Sequence, residues 1–412
     1  MYKLNTACRI CKNSNLVRVL DLGEQVLTGV FPKLTDTQPI TKGPLHLVKC
    51  MGDGYCGLVQ LEHSYDLSEM YGLNYGYRSG LNKSMVDHLK GKVDRICGLM
   101  SLQPSDLIVD IGSNDGTTLV SYPEIGLELV GVDPTGIKFS HYYPKHVRLI
   151  ADFFSAKLLK ERYPTKKAKV ITSFSMFYDL EDPISFMQDI YEVLADDGIW
   201  VFEQSYMPKM LDTNSFDTVC HEHLEFYGLK QIQWMVDKVG LRIIDVEFND
   251  TNGGSFSITV AKSALSLKES DGVAAALAHE QALNLDNLTP YLEFAERTKS
   301  AKQDLLRFIK EQKIAGKRVA ALGASTKGNV LLQYCQLTEN DIESIGEVNA
   351  EKFDCRSPGT NIPIIPEGDL LESRPDILII LPWHFKEFFV TNPKLKGFTL
   401  VFPLPALEVV QL

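Results

Sequence analysis

Ser105-Asp-Leu-Ile-Val-Asp-Ile-Gly-Ser-Asn-Asp-Gly-Thr-Thr-Leu119 is the stretch on which the reading of the fold turns. An apolar run from Leu107 to Ile111 enters a turn from Gly112 to Gly116, and Thr-Thr-Leu follows. That is the strand, glycine turn and helix order of a nucleotide-binding βα unit. A second apolar run, LELVGVDP, ends in Asp133, about twenty residues on, where a carboxylate can accept both ribose hydroxyls of an adenosine. A dinucleotide fold prefers G-x-G-x-x-G, whose glycines let a pyrophosphate dock on the helix N-terminus. Here Asn114 and Asp115 occupy the turn. Asp110 and Asp115 would repel a pyrophosphate, whereas they favour the sulfonium and ammonium of S-adenosylmethionine. The turn therefore predicts a class I, Rossmann-like methyltransferase core, with Gly112 letting the backbone approach the methionine moiety. A third segment, LIADFFS, places Asp152 and Phe153 after another strand, suited to the amino group and ring face of adenine.

Outward from this core, 412 residues with 44% hydrophobic and 23% charged side chains predict two or three domains. The net charge of -11, from 42 Lys+Arg against 53 Asp+Glu, argues against a nucleic-acid partner. Apolar runs such as Asp376 to Trp383 are far too short to span a membrane. The opening MYKLNTACRICK carries no apolar secretory segment, so a cytosolic, reducing environment is expected. Clustered cysteines then mean metal or chemistry more often than disulfides. Cys8-x2-Cys11 and Cys50-x5-Cys56 form two knuckles, the second lengthened by a loop holding Gly52 and Gly54. Four thiolates close a tetrahedral zinc shell with no open position, so the predicted zinc is structural.

The expected architecture is α/β throughout: a zinc-binding domain with a substrate-contacting tail over 1–88, the methyltransferase core over 89–262, and a helical linker with a second α/β, Rossmann-like domain over 263–412. Strands are read in KVITSFSMFYDL and in GIWVFEQSY after the turn at Ala195 to Gly198. Two helices are expected between Ser263 and Ile314, where Pro290 is the one interior proline. GKRVAALGASTKGN then repeats the strand and glycine-loop order, and Ser325, Thr326 and Lys327 would meet a phosphate at a helix N-terminus. Between the two units lies DTVCHEHLEFYG, holding Cys220, His221, Glu222 and His223. No HExxH spacing is present, so acid and base work is the better use: a histidine titrates near neutrality, and an adjacent carboxylate can hold its tautomer and raise its basicity.

CRIC, CGLVQL, IVDIGSNDGTTL, CHEH, NGGSF, GASTKGN and SPGTNIPI, in this order, resemble the three-domain C-methyltransferases that act on nucleotide-linked 4-ketosugars. The likeness spans essentially the whole chain. It implies that a base removes the C-3 proton beside the C-4 ketone and that the resulting enolate is methylated. It places the base at His223, with Glu222 orienting a neighbour or the substrate and His221 holding or polarising the ketosugar oxygen. Tyr75 and Tyr77 are further candidates for stabilising the developing oxyanion. Ser173 completes the expected cofactor set. Cys220, Asn252, Gly253, Ser325, Lys327, Asn329 and His384 form the expected substrate set, with the nucleotide-sugar a small-molecule partner. Cys220 stands where the family often has Tyr, and His384 where Asn is expected; the resemblance leaves open whether one chain or two make the active unit. Three alternatives stay open: a macromolecular substrate docked on the zinc knuckles, an NAD-linked sugar enzyme using Gly323 to Asn329, and a scaffold with a degenerate cofactor site.

Overall fold

The computed structural model describes residues 2–66 and 77–412. Leu107–Ile111 is buried at every position. A strand without polar alternation belongs in the middle of a sheet covered on both faces, and it lies fifth in a seven-stranded order: Leu241–Asn249, Ser255–Lys262, Leu194–Ser205, Ala168–Phe174, Leu107–Ile111, Glu128–Val132 and Val147–Ile150. The five strands from Leu194–Ser205 to Val147–Ile150 run parallel, while Ser255–Lys262 pairs antiparallel with both of its neighbours. Parallel order brings the C-terminal strand ends, with Gly112 and Asp133, to one edge, where ligands of open α/β sheets bind.

One expected element is shorter than read. After the glycine turn the chain makes only a 3-10 turn at Leu119–Ser121, because Tyr122-Pro123 follows and the residue before a proline is driven out of the helical region. Helix Lys83–Leu99 passes through position 88, and His88 within it meets Glu203 of the central sheet at 2.5 Å. A division drawn at 88 therefore falls inside an element packed on the core.

The third sheet has six strands, in the order Ile364–Pro366, Ile345–Glu347, Val319–Leu322, Ile377–Ile380, Thr399–Phe402 and Glu408–Gln411, the last antiparallel. It is reached through helices Asp271–Ala282 and Thr289–Ile314, with Pro290 in the first turn of the second, where its missing N–H costs nothing. At the N-terminus, Leu16–Val26, Lys42–Cys50 and Val59–Leu61 form an antiparallel sheet whose fourth strand is borrowed: Glu225–Phe226, beyond the histidine loop, pairs with Val59 and Gln60. Among the described residues no helix is long and apolar enough to cross a membrane.

Candidate active site

The four knuckle cysteines converge, with all their sulfurs within 4.8 Å of one another. Cys8 to Cys56, Cys11 to Cys50 and Cys11 to Cys56 are each 3.4 Å apart, close to the roughly 3.8 Å edge of a tetrahedron with zinc–sulfur bonds of about 2.3 Å. Gly52 at φ 123° and Gly54 at φ 77° turn the chain back within the longer knuckle. The Asn13 side-chain amide donates to the Cys50 sulfur at 3.3 Å and the Leu58 N–H to Cys56 at 3.4 Å, second contacts of the kind that orient thiolate ligands. Crowding separates the acidities: the bond from Cys56 holds Cys50 down to about 2, while the bond to Cys50 pushes Cys8 up to about 12. A cation resolves that conflict by ionising all four thiols, and the set has the donors, distances and burial of a closed zinc shell.

At the sheet edge, Gly112 has φ 72°, and a Cβ there would lie 3.1 Å from Met176 Cγ, so both backbone and space require glycine. Asp133 Oδ2 accepts the Asn114 N–H at 2.7 Å, and Oδ1 accepts the Thr135 N–H and hydroxyl at 2.6 Å each. The carboxylate thus shapes the turn from the neighbouring strand. Asp110, 2% exposed, accepts the Thr172 hydroxyl at 2.6 Å, and burial pushes its carboxyl up to about 7. Asn114 and Asp115 face the zinc-domain side: their side-chain oxygens accept the N–H groups of Ser79 and Gly80 at 2.9 Å each, and Asn114 Nδ2 donates to the Tyr77 carbonyl at 3.2 Å. The two turn residues therefore anchor the stretch that leads into helix Lys83–Leu99. Asp152 is exposed and accepts the Phe153 N–H at 2.7 Å, leaving the Phe153 ring 57% exposed at the rim.

Ser173 is a correction. It is fully buried, and its hydroxyl accepts the Trp200 indole N–H at 3.0 Å. Strand alternation turns it to the face opposite Thr172, where Trp200 takes up its hydroxyl. Tyr143 joins the turn without any sequence signal: its hydroxyl reaches Ser113 Oγ at 2.8 Å and the Asn114 carbonyl at 2.9 Å, from a segment with no periodicity to flag it.

The histidine loop touches all three domains: Tyr178 of the core lies against His223, Gly29 of the N-terminal domain against Glu222, and Lys327 of the C-terminal domain acts on His223. His223 Nδ1 is 2.8 Å from the Thr218 carbonyl. Only a protonated nitrogen can donate there, so the tautomer leaves Nε2 with a free lone pair. The Tyr178 ring lies 4.4 Å from the imidazole. Burial, aided by Lys327, pushes His223 down to about 4. Two expectations change: the Thr218 carbonyl, not Glu222, holds the tautomer, and desolvation lowers the imidazole, which favours its free-base form near neutral pH.

Glu222 points instead toward the N-terminal domain. A Cβ on Gly29 would come within 2.1 Å of its Oε1, while Oε2 is buried without a partner, and burial raises its carboxyl. His221 is also corrected: it is fully buried, edge-on to Tyr65 at 4.6 Å, and burial drives it to about 3. No surface is left on it for a sugar oxygen. Cys220 is likewise fully buried, its thiol pushed well up by desolvation, and so lines the core behind the loop.

From the C-terminal domain, Lys327 donates to the Asn252 carbonyl at 2.5 Å, and burial lowers its pKa. Asn252 has φ 55°, and a Cβ on neighbouring Gly253 would lie 3.8 Å from His384 and 3.9 Å from Lys327 Nζ. His384 is pushed down to about 3 by burial, its Nδ1 unpartnered. Ser325 and Asn329 are corrections to the phosphate loop. The Ser325 hydroxyl caps its own helix by accepting the Gly328 N–H at 3.0 Å, and Asn329, fully buried, donates to the Thr28 carbonyl at 2.8 Å. Of that loop, Lys327 reaches Asn252, and the Thr326 hydroxyl lies 3.6 Å from where a Cβ on Gly29 would stand, beside Glu222. Tyr75 lies outside the described residues, and the Tyr77 side chain is 48% exposed.

Family models match three successive stretches: a zinc binding domain over 8–71, a methyltransferase domain over 85–246 and a C-methyltransferase C-terminal domain over 250–405. The chain belongs to the C-methyltransferases. C-methyltransferase NovU of Streptomyces niveus is 28% identical over 409 residues, which are 98% of this chain and 96% of NovU. Solved structures give slighter likenesses that bear on nothing in the site. One is the complex of the Haloferax volcanii Trm112 methyltransferase activator with a methyltransferase, at 14% identity, TM-score 0.36, covering 44% of this chain and 94% of that one. Another is the plantazolicin methyltransferase BpumL with S-adenosylhomocysteine, at 11% identity, TM-score 0.34, covering 42% and 82%. As a C-methyltransferase this enzyme uses S-adenosylmethionine, which Gly112, Asp133 and the turn between them would hold, and its four-cysteine shell is the zinc site of the N-terminal domain.

Proposed function

We propose that this C-methyltransferase acts on a nucleotide-linked 4-ketosugar and methylates C-3 through an enolate. The observation that carries the reading is His223, whose Nδ1 is committed to the Thr218 carbonyl at 2.8 Å, leaving Nε2 as a neutral acceptor at the junction of the cofactor core and the lysine-bearing domain. A neutral imidazole takes the proton beside the ketone. Negative charge then develops on the ketone oxygen, where Lys327 and the segment carrying Tyr75 and Tyr77 supply donors. The methyl group comes from S-adenosylmethionine when it is bound. Lys327, Asn252, Gly253 and His384 form the sugar side of the site, and Glu222 braces the loop against Gly29.

The test is to incubate the enzyme with a panel of nucleotide 4-ketosugars in deuterated water, with S-adenosylhomocysteine and then with S-adenosylmethionine, and to follow mass. Deuterium and then methyl at the carbon next to the ketone are expected. Methyl transfer to RNA or protein with no exchange into any ketosugar would replace this reading by that of a macromolecular substrate.

A further inference from the structure

We propose that Arg9, the residue inside the first zinc knuckle, is a positioning residue for His223, so that the zinc shell fixes where the base stands without touching substrate. The inference rests on the assignment of His223 as base. Arg9 follows Cys8 and is 4% exposed. Its backbone N–H is held by Gln60 Oε1 at 2.8 Å. From that fixed root the guanidinium crosses to the loop 215 residues away: Nη1 donates to the Leu61 carbonyl at 2.7 Å and to the Leu224 carbonyl at 3.4 Å. Nη2 donates to Ser64 Oγ at 2.9 Å and to the His63 carbonyl at 3.3 Å. Nε lies 3.5 Å from Glu225, whose side chain is fully buried, and 3.6 Å from Glu181. A planar five-donor fork suits this divergent set, and lysine has no second or third arm to copy it.

Leu224 is the residue after the base, and every backbone group of it is used. Its carbonyl also accepts the Leu61 N–H at 2.8 Å, and its own N–H donates to the Tyr178 carbonyl at 2.8 Å, the residue whose ring lies against the imidazole. Gln231 adds a second tie, donating to the Cys56 carbonyl at 2.9 Å. The residue after the base and the helix that follows the loop, Leu229–Val239, are therefore each tied to the segment of a metal-binding cysteine. Arg9 and Tyr178 thus hold Leu224, the residue bonded to the base, at its carbonyl and its N–H.

The experiment uses the full chain with Arg9→Met, Arg9→Lys and Glu225→Gln. Zinc content, S-adenosylmethionine affinity by calorimetry, nitrogen NMR of labelled histidine, and kcat and KM for methylation are measured, the His223 resonance being identified by its loss in His223→Asn. Arg9→Met should keep about one zinc per chain and wild-type cofactor affinity, yet lose the Nδ1-protonated His223 signature. Its kcat should fall about ten- to hundredfold, the scale of a misplacement of about 1 Å, with KM little changed and partial recovery in Arg9→Lys. A wild-type His223 signal, or a loss of turnover no larger than the loss of folded or metal-loaded protein, would overturn the proposal. If Arg9→Met fails to fold, the same signature must shift in Glu225→Gln, and an unshifted signal there overturns it too. Because the NMR readout needs no substrate, it stays decisive even if His223→Asn proves fully active, the result that would overturn the base assignment instead.

Discussion

Two strand and glycine-turn units in this chain share a backbone plan and differ in charge. Gly112 to Gly116 is bounded by Asp110, Asp115 and Asp133, all buried, and leads only to a 3-10 turn. Gly323 to Gly328 carries Lys327, has no acid, and leads to a full helix, Thr326–Cys335, capped by Ser325. In both units glycine solves a steric problem: a Cβ at 112 would meet Met176 at 3.1 Å, and one at 323 would meet Pro382 at 2.6 Å. The shape of the turn thus says that something docks there, and the charges around it say what. An acidic rim accepts a cationic cofactor; a half-buried, one-bond ammonium calls for an anionic or carbonyl oxygen. The histidine loop lies between the two, which is where a base serving both ligands must stand.

The largest expected effect tests that intermediate position. His223→Asn should lower turnover and α-proton exchange by about 10² to 10⁴ while calorimetry shows both ligands bound as in the wild type. Loss of binding on either side would mean that the loop belongs to one turn rather than to both.

Acid should then expose the cost of burying the loop. In the folded chain burial pushes His221 down to about 3 and His223 to about 4, against about 6.5 when unfolded. Below about 6.5 the unfolded chain binds protons that the folded chain refuses, so stability is present at neutral pH and is lost as pH falls toward 4, by on the order of a few kcal/mol per histidine. Asp110, held up at about 7, slopes the other way, so the difference between wild type and His221→Asn isolates the histidine. Chemical denaturation at pH 7 and pH 5 should show the variant losing less; equal losses would refute an uncharged, buried His221.

The charge contrast itself is tested by a pair. Asp133→Asn should weaken S-adenosylmethionine binding by about 1.5 to 3 kcal/mol and leave the sugar alone, and Lys327→Met should do the converse, the scale being that of charge-assisted hydrogen bonds. If each variant weakened both ligands alike, the two turns would not be separate sites. The smallest effect belongs to Ser173→Ala, which removes the acceptor of the Trp200 indole and should cost about 1 kcal/mol of stability with cofactor affinity unchanged. A drop in affinity would restore Ser173 to the cleft.

Much of this is legible in the letters. Cys8, Cys11, Cys50 and Cys56 stand in knuckles whose ligand chemistry is local, and Leu107 to Gly112 announces a strand and turn through hydrophobicity and glycine alone. Ser173, Ser325, His221 and Cys220 mislead for one reason: residue type marks what a side chain can do, while its direction depends on strand parity, helix caps and neighbours. Gly29, Thr218 and Tyr143 carry no motif at all, and nothing in the CRIC motif says where Arg9 reaches; their parts follow from contacts between segments rather than from residue type.

By itself, then, the sequence determined the α/β order, the cysteine shell and the acidic character of the cofactor turn, because each depends on short-range patterns of polarity, backbone freedom and charge. Only the tertiary structure decided which histidine has its tautomer set by a hydrogen bond, that the Thr218 carbonyl rather than Glu222 sets it, and that the residue after that histidine is bonded to Arg9 of the zinc knuckle. Those are matters of distance and desolvation, and both come into being only when three domains close around one loop.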